Sequence, residues 1–167
     1  MFKNMFKKQQ DAKPSSNKIN LYNPIEGEII SIDKVPDQVF SEKMLGDGFA
    51  IIPSGNKVYA PIGGEIKVLF PTLHAIAIET AEGLELLIHV GIDTVELKGE
   101  GFTGHVKVGD MVKQGDLLIT FDSEIIKSKA TSIITPVLIT NMDIISDISV
   151  EYGDCKENQI VATVKKK

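Results

Sequence analysis

A chain of 167 residues with a formal net charge of −5 is the size of one domain, long enough to bury a sizeable core and too short to carry a membrane transporter of its own. No apolar run approaches the roughly 20 residues of a spanning helix, and no secretory signal pattern opens the chain. A cytoplasmic protein is therefore expected, and the acidic balance argues against nucleic acid as a partner.

The lone cysteine, Cys155, has no internal disulfide partner, in keeping with a reducing compartment. It sits in Glu151-Tyr152-Gly153-Asp154-Cys155-Lys156-Glu157, where acidic neighbours raise its pKa, and it reads as an incidental thiol. All 18 basic residues are lysine. A guanidinium clamp on an anion must therefore come from a partner, leaving lysines and backbone amides as this chain's own means.

In chain order, residues 1–18 are polar and read as a flexible tail, with the domain proper at 19–167. Within the tail Phe2, Met5 and Phe6 fall on one helical face and Lys3, Lys7 and Lys8 elsewhere, a pattern suited to weak contact of residues 1–8 with an anionic membrane surface. A helix this short is marginal in water. From Leu21 onward, short apolar runs punctuated by Gly, Pro, Asp and Asn predict an all-β, antiparallel β-sandwich with short helical turns. Pro24-Ile25-Glu26-Gly27-Glu28-Ile29 recurs as Pro61-Ile62-Gly63-Gly64-Glu65-Ile66, each a proline-led entry, a glycine and a strand.

Two strands are expected at 73–79 and 84–92, joined by the turn Thr80-Ala81-Glu82-Gly83 and paired antiparallel. In the second, every even position from Leu84 to Ile92 is apolar, so His89 shares the other face with Glu85, Leu87 and Gly91. Pairing brings His74 opposite or diagonal to His89. An imidazole in such a strand is costly unless it has a partner or a task. Further along, Val106-Lys107-Val108-Gly109-Asp110-Met111-Val112-Lys113-Gln114-Gly115-Asp116 resembles the double Gly-Asp turn of biotinyl and lipoyl carrier domains. Ser123-Glu124-Ile125-Ile126-Lys127-Ser128-Lys129-Ala130 predicts one short helix, capped by Asp122 or Ser123.

The string Gly83-Leu84-Glu85-Leu86-Leu87-Ile88-His89-Val90-Gly91-Ile92-Asp93-Thr94-Val95 resembles the phosphorylation-site signature of the glucose-type enzyme IIA family of the bacterial phosphoenolpyruvate:sugar phosphotransferase system. The likeness extends through Val35-Pro36-Asp37, Phe40-Ser41-Glu42-Lys43, Gly46-Asp47-Gly48, Ala60-Pro61, Glu96-Leu97-Lys98-Gly99-Glu100-Gly101-Phe102 and Thr135-Pro136-Val137, roughly residues 20 to 164. It implies a duplicated barrel-sandwich hybrid.

It also implies a phosphoryl carrier that accepts phosphate from phospho-HPr and passes it to the IIB domain of a sugar permease. His89 is then the phosphorylated nucleophile, attacking through Nε2 while a main-chain carbonyl holds Nδ1–H. His74 stabilises the phosphate and Thr72 orients His74. By the same resemblance Asp37, Glu79 and Asp93 engage positive charge on partners, and Val39, Phe40, Phe70, Ile76, Leu87 and Val95 form an apolar docking rim. The family is more aromatic at the positions of Ile76 and Leu87, which bears on partner preference. Regulated transporters or kinases are further possible partners.

The chemistry suits the residue type. A neutral imidazole is well populated near its reference pKa of about 6.5, its nitrogens attack phosphorus, and its phosphorylated form is a reactive donor. No cofactor is required, though His74 and His89 can share a zinc ion completed by a partner's carboxylate. Three other readings compete. A zinc hydrolase of related architecture needs three protein ligands. A lysine-modified carrier lacks its usual hairpin tripeptide here, and a purely regulatory binding protein would carry no phosphate. His105 is assigned no role.

Overall fold

The computed structural model describes residues 17–167; the basic segment at 1–8 lies outside them. The side-chain amide of Asn17 donates to the Lys166 carbonyl at 3.2 Å, and Lys18 opens the first strand.

Short strands account for most of the regular structure of the described residues: β1 (Lys18–Tyr22), β2 (Gly27–Ser31), β3 (Asp47–Pro53), β4 (Lys57–Tyr59), β5 (Gly64–Leu69), β6 (Ala75–Glu79), β7 (Glu85–His89), β8 (Phe102–Gly104), β9 (Met111–Val112), β10 (Leu117–Phe121), β11 (Thr135–Ile139), β12 (Ile145–Val150), β13 (Gly153–Cys155) and β14 (Ile160–Lys166). Among the described residues two short helices, α1 (Gln38–Ser41) and α2 (Ser123–Lys129), and three 3-10 turns interrupt them. The strands pair antiparallel in an eight-stranded sheet of order β13-β2-β3-β11-β7-β6-β5-β9 and two three-stranded sheets, β1-β14-β12 and β4-β10-β8. One continuous core takes side chains from all three sheets, among them Leu21 and Val164, Leu118 and Phe121, and Ile51, Ile78 and Ile88. The fold is the expected antiparallel β-sandwich.

The internal repeat has a structural counterpart. The two proline-led entries exchange main-chain hydrogen bonds, with Tyr22 N–H donating to the Pro61 carbonyl and Tyr59 N–H to that of Pro24. Both then enter a strand at a glycine where a side chain would strike main chain, since a Cβ would lie 2.2 Å from the Ile52 oxygen at Gly27 and 2.5 Å from the Glu79 oxygen at Gly64. The next layer matches as well. Asn23 N–H donates to the Gln159 carbonyl as Ala60 N–H does to that of Asp116, and β13 lies beside β2 as β9 lies beside β5. In the double Gly-Asp turn, Asp110 accepts from Lys107 N–H and Asp116 from Lys113 N–H, the self-bonding geometry that makes Asp a turn residue. Helix α2 forms where expected, with the Asp122 carboxylate accepting from Glu124 N–H and Ile125 N–H as its N-cap.

A smaller apolar cluster gathers Ile30, Ile32, Val35, Phe40, Ala50, Ile92 and Leu138, with Leu87 packed against it. Leu87 stands on the face of β7 away from the main core, so this cluster seats α1 on the outer face of the large sheet. The same face presents His89.

Candidate functional site

The alternation read from the sequence holds through β7. Leu84, Leu86, Ile88, Val90 and Ile92 are buried, while Leu87 and His89 stand half-buried on the opposite face. β6 pairs with β7 in the register Ala75↔His89 and Ala77↔Leu87, so Ala75, Ala77 and Glu79 share the face of His89. Ile76 pairs with Ile88 and is fully buried. The expectation that Ile76 belongs to the docking rim is therefore corrected, because strand alternation turns it into the core.

His74 lies one residue outside β6. Leu73 before it has φ +61°, a left-handed turn that interrupts the extended chain, and the His74 carbonyl accepts Val90 N–H at 2.7 Å. The ring of His74 reaches that of His89 with centroids 4.9 Å apart and an interplanar angle of 78°. Aromatic rings bracket the pair, Phe40 at 5.0 Å from His89 and Phe70 at 5.1 Å from His74.

Each imidazole has one nitrogen anchored. His89 Nδ1 lies 2.8 Å from the Gly91 carbonyl oxygen, which can only accept, so Nδ1 carries the proton and the Nε2 lone pair is free. His74 Nδ1 lies 2.6 Å from Thr72 Oγ1.

Burial, reinforced by the neighbouring His89, pulls the His74 pKa down to about 4. Burial also lowers that of His89, against the opposing pull of the Gly91 carbonyl and of the Asp37 and Asp93 charges, all of which favour a cationic ring. Both rings are accordingly neutral near pH 7.

The acids take different positions. Asp37 caps α1, accepting Val39 N–H at 2.8 Å, so its carboxylate is fixed near His89 by the helix it starts. Asp93, at φ +62°, accepts a hydrogen bond from Thr131 Oγ1. Glu79 lies at the far end of β6 from the Ala75–His89 pair, four residues or about 13 Å along the strand, and does not join the histidines.

Of the apolar rim, Val39, Phe70 and Val95 are exposed at 38, 40 and 48%. Phe40 is only 5% exposed and serves chiefly as a wall for the His89 ring.

Sequence reasoning missed three hydroxyls: Thr131 on Asp93, Thr94 on the Val90 carbonyl and Thr135 on Gly91 N–H. Thr94 and Thr135 stand inside recognised motifs, but no periodicity marks a hydroxyl as aimed at main chain. His105 lies 3.1 Å from Thr120 Oγ1 and takes no part.

With both Nδ1 atoms anchored, the two Nε2 atoms are what the pair offers to a phosphoryl group or a metal. They fill half of a tetrahedral zinc shell. Among the described residues no group of three or more His, Cys, Asp or Glu side chains is placed to complete one, so the chain alone lacks the ligand set of a zinc hydrolase. Two hollows lie elsewhere, one of about 680 Å³ beside Phe102, Thr120 and Asp122 and one of about 700 Å³ beside Glu28, Ile52 and Cys155, and neither is lined by a histidine. The paired imidazoles sit instead on a face rimmed by exposed apolar side chains, a shape that suits a protein partner over an enclosed small molecule.

Comparison with known proteins agrees with this geometry. The family model for the phosphoenolpyruvate-dependent sugar phosphotransferase system, EIIA 1, matches residues 19–145. The chain is 48% identical to a protein of Oceanobacillus iheyensis named PTS system glucose-specific EIIA component, over 98% of this chain and 99% of that protein. It is 61% identical to part of the PTS system glucosamine-specific EIICBA component of Bacillus subtilis, over 77% of this chain and 20% of that protein. The solved structure of glucose permease IIA from Mycoplasma capricolum superposes with a TM-score of 0.86 at 40% identity, covering 89% of this chain and 97% of that one. With its β-sandwich, its histidine pair and these matches taken together, the chain belongs to the EIIA 1 family of the phosphoenolpyruvate-dependent sugar phosphotransferase system.

Proposed function

We propose that His89 is the residue on which this chain carries the phosphoryl group, received from the phosphocarrier HPr and delivered to the IIB domain of a glucose-type permease. The observation that carries the proposal is the anchoring of His89 Nδ1 to the Gly91 carbonyl, which leaves Nε2 as the nucleophile beside a second imidazole.

In the accepting step the Nε2 lone pair attacks the phosphorus of the phosphohistidine on HPr. An Nε2–P bond forms, the donor's N–P bond breaks, and its electron pair returns to the donor imidazole. His89 keeps its Nδ1 proton, so the phosphorylated ring is formally cationic. The Gly91 carbonyl and the Asp37 and Asp93 charges favour that cation. In the donating step a cysteine thiolate of the IIB domain attacks phosphorus, an S–P bond forms, and the pair of the breaking Nε2–P bond returns to His89.

With Thr72 Oγ1–H donating to His74 Nδ1, the neutral His74 ring carries its proton on Nε2 and donates it to a phosphoryl oxygen. The lowered pKa of His74 keeps it in that neutral form near pH 7. Val39, Phe70, Leu87 and Val95 supply the apolar docking surface and Asp37 and Asp93 its negative charge, complementary to basic partners. The absence of arginine leaves any guanidinium clamp on the moving phosphoryl group to the partner. Regulated transporters or kinases dock, where they exist, on the same face. A zinc ion shared with a partner's carboxylate would be held by the two Nε2 atoms, with His74 then carrying its proton on Nδ1 and donating it to Thr72 Oγ1. Among the described residues no helix is long and apolar enough to cross a membrane.

Incubation with labelled phosphoenolpyruvate, enzyme I and HPr tests the proposal. The expected product is one acid-labile, base-stable phosphoryl group, absent from His89→Ala. Label that persists in His89→Ala, or wild-type protein that takes none while binding a transporter, favours another acceptor or a purely regulatory protein.

A further inference from the structure

The main chain that aims His89 is itself gripped from behind. Gly91 has φ +73°, and a side chain there would bring its Cβ within 2.6 Å of Thr94 Cγ2 and 2.9 Å of the Ser132 oxygen, so the turn requires glycine. Four hydrogen bonds hold the two peptide units that meet at this residue. In the Val90–Gly91 unit, the Val90 carbonyl accepts Thr94 Oγ1–H at 2.6 Å and Gly91 N–H donates to Thr135 Oγ1 at 3.3 Å. In the Gly91–Ile92 unit, Ile92 N–H donates to the Ser132 carbonyl at 2.8 Å and the Gly91 carbonyl accepts His89 Nδ1–H.

Thr135 is fully buried at the start of β11, and its hydroxyl proton goes to the Ile133 carbonyl at 3.0 Å, which leaves an oxygen lone pair for Gly91. Thr135 touches neither imidazole in any of these bonds. The paired β11 strand gives it a rigid mounting, with Thr135 opposite Ile51 and Val137 opposite both Phe49 and Ile88.

We propose that Thr135 is a positioning residue for phosphoryl transfer, acting through Gly91. Its hydroxyl fixes the Val90–Gly91 peptide and with it the φ of Gly91, the joint that aims the next peptide and its Gly91 carbonyl at His89, and so holds His89 in the tautomer and orientation that present Nε2. This rests on the assignment of His89 as the phosphoryl acceptor. The physical ground is that transfer needs reacting atoms held in line, and a displacement of about 1 Å from a distant change costs on the order of a hundredfold. Nothing in the docking surface involves Thr135, so binding of the phosphocarrier is left alone.

Thr135→Val keeps the β-branched shape and removes both hydrogen bonds. Two readouts are used. Rapid-quench transfer from phospho-HPr gives the saturating rate and the half-saturating concentration, and ¹⁵N spectra of His89 in the unphosphorylated protein give its tautomer. The expected result is a saturating rate lower by about tenfold at an unchanged half-saturating concentration, with the single Nδ1–H tautomer replaced by a mixture. Thr135→Ser restores both.

Should Thr135→Val not fold, Thr135→Ser against Thr135→Ala makes the same comparison at smaller volume. A variant that only melts earlier, with rate and tautomer of wild type, overturns the proposal, as does a change confined to the half-saturating concentration. Wild-type protein unlabelled at His89 refutes the acceptor assignment instead, while the tautomer spectra, which need no phosphate, still decide whether Thr135 controls the ring.

Discussion

At the scale of residues, the site depends on two imidazoles kept neutral by burial and each anchored at Nδ1. Neutrality carries a pH signature. The folded-state pKa of His74 is about 4, against about 6.5 in an unfolded chain, so the unfolded state takes up the proton first as pH falls. The stability tied to neutral His74 is complete above pH 6.5 and drains as pH drops towards 4. At about 1.4 kcal/mol per tenfold, the loss is on the order of 3 kcal/mol. His89, shifted in the same direction, adds to it. His74→Gln should flatten this part of the profile, read as the difference from wild type in denaturation midpoints between pH 7 and 4.5. Profiles that run parallel would mean that His74 is protonated as easily in the fold as outside it.

The same anchoring limits metal binding. With only two Nε2 ligands to offer, that of His74 after its proton moves to Nδ1, the isolated chain should bind zinc weakly in calorimetry, and a soluble partner that offers a carboxylate should tighten it by at least tenfold, following the need for four ligands. Tight one-to-one binding by the chain alone contradicts that ligand count.

At the scale of elements, the histidines meet because two strands with different local rules are paired. β7 keeps strict alternation and presents His89 outward, whereas the turn at Leu73 re-aims His74 outside β6. A one-residue change of face separates Ile76 from the rim. Ile76→Ala should therefore cost about 2–5 kcal/mol of stability through a cavity, with transfer from HPr otherwise intact in the folded fraction. Val95→Ala should change stability by less than about 0.5 kcal/mol while raising the half-saturating concentration of HPr. Chemical denaturation and transfer kinetics on the two variants check this. A destabilised Val95→Ala beside a neutral Ile76→Ala would reverse the facing assigned here.

Where periodicity carries the information, the sequence was readable. The β6–β7 hairpin, the even-numbered core positions of β7, the Asp122 cap and the repeat of proline-led entries all follow from alternation and turn chemistry. The placement of Ile76 and Glu79 did not follow, since the resemblance put Ile76 in the rim where alternation turns it into the core, and distance along a strand is invisible until the register is known. The grip of Thr94 and Thr135 was likewise hidden, because a threonine in a strand reads first as a β-former.

At the scale of the whole molecule, the three sheets bury one core while the outer face of the large sheet is left to carry α1, the two histidines and an apolar rim. A rigid sheet holding a reactive nitrogen on an open face is suited to passing a group between proteins, since both donor and acceptor must reach the same atom. The central claim is that this atom is Nε2 of His89. Phosphorus and ¹⁵N NMR of the protein phosphorylated by enzyme I and HPr, with histidine nitrogens labelled, reads it directly. One phosphorus resonance coupled to Nε2 of His89 is expected, with Nδ1 still protonated; coupling to Nδ1, or to a nitrogen of His74 or His105, would contradict that assignment.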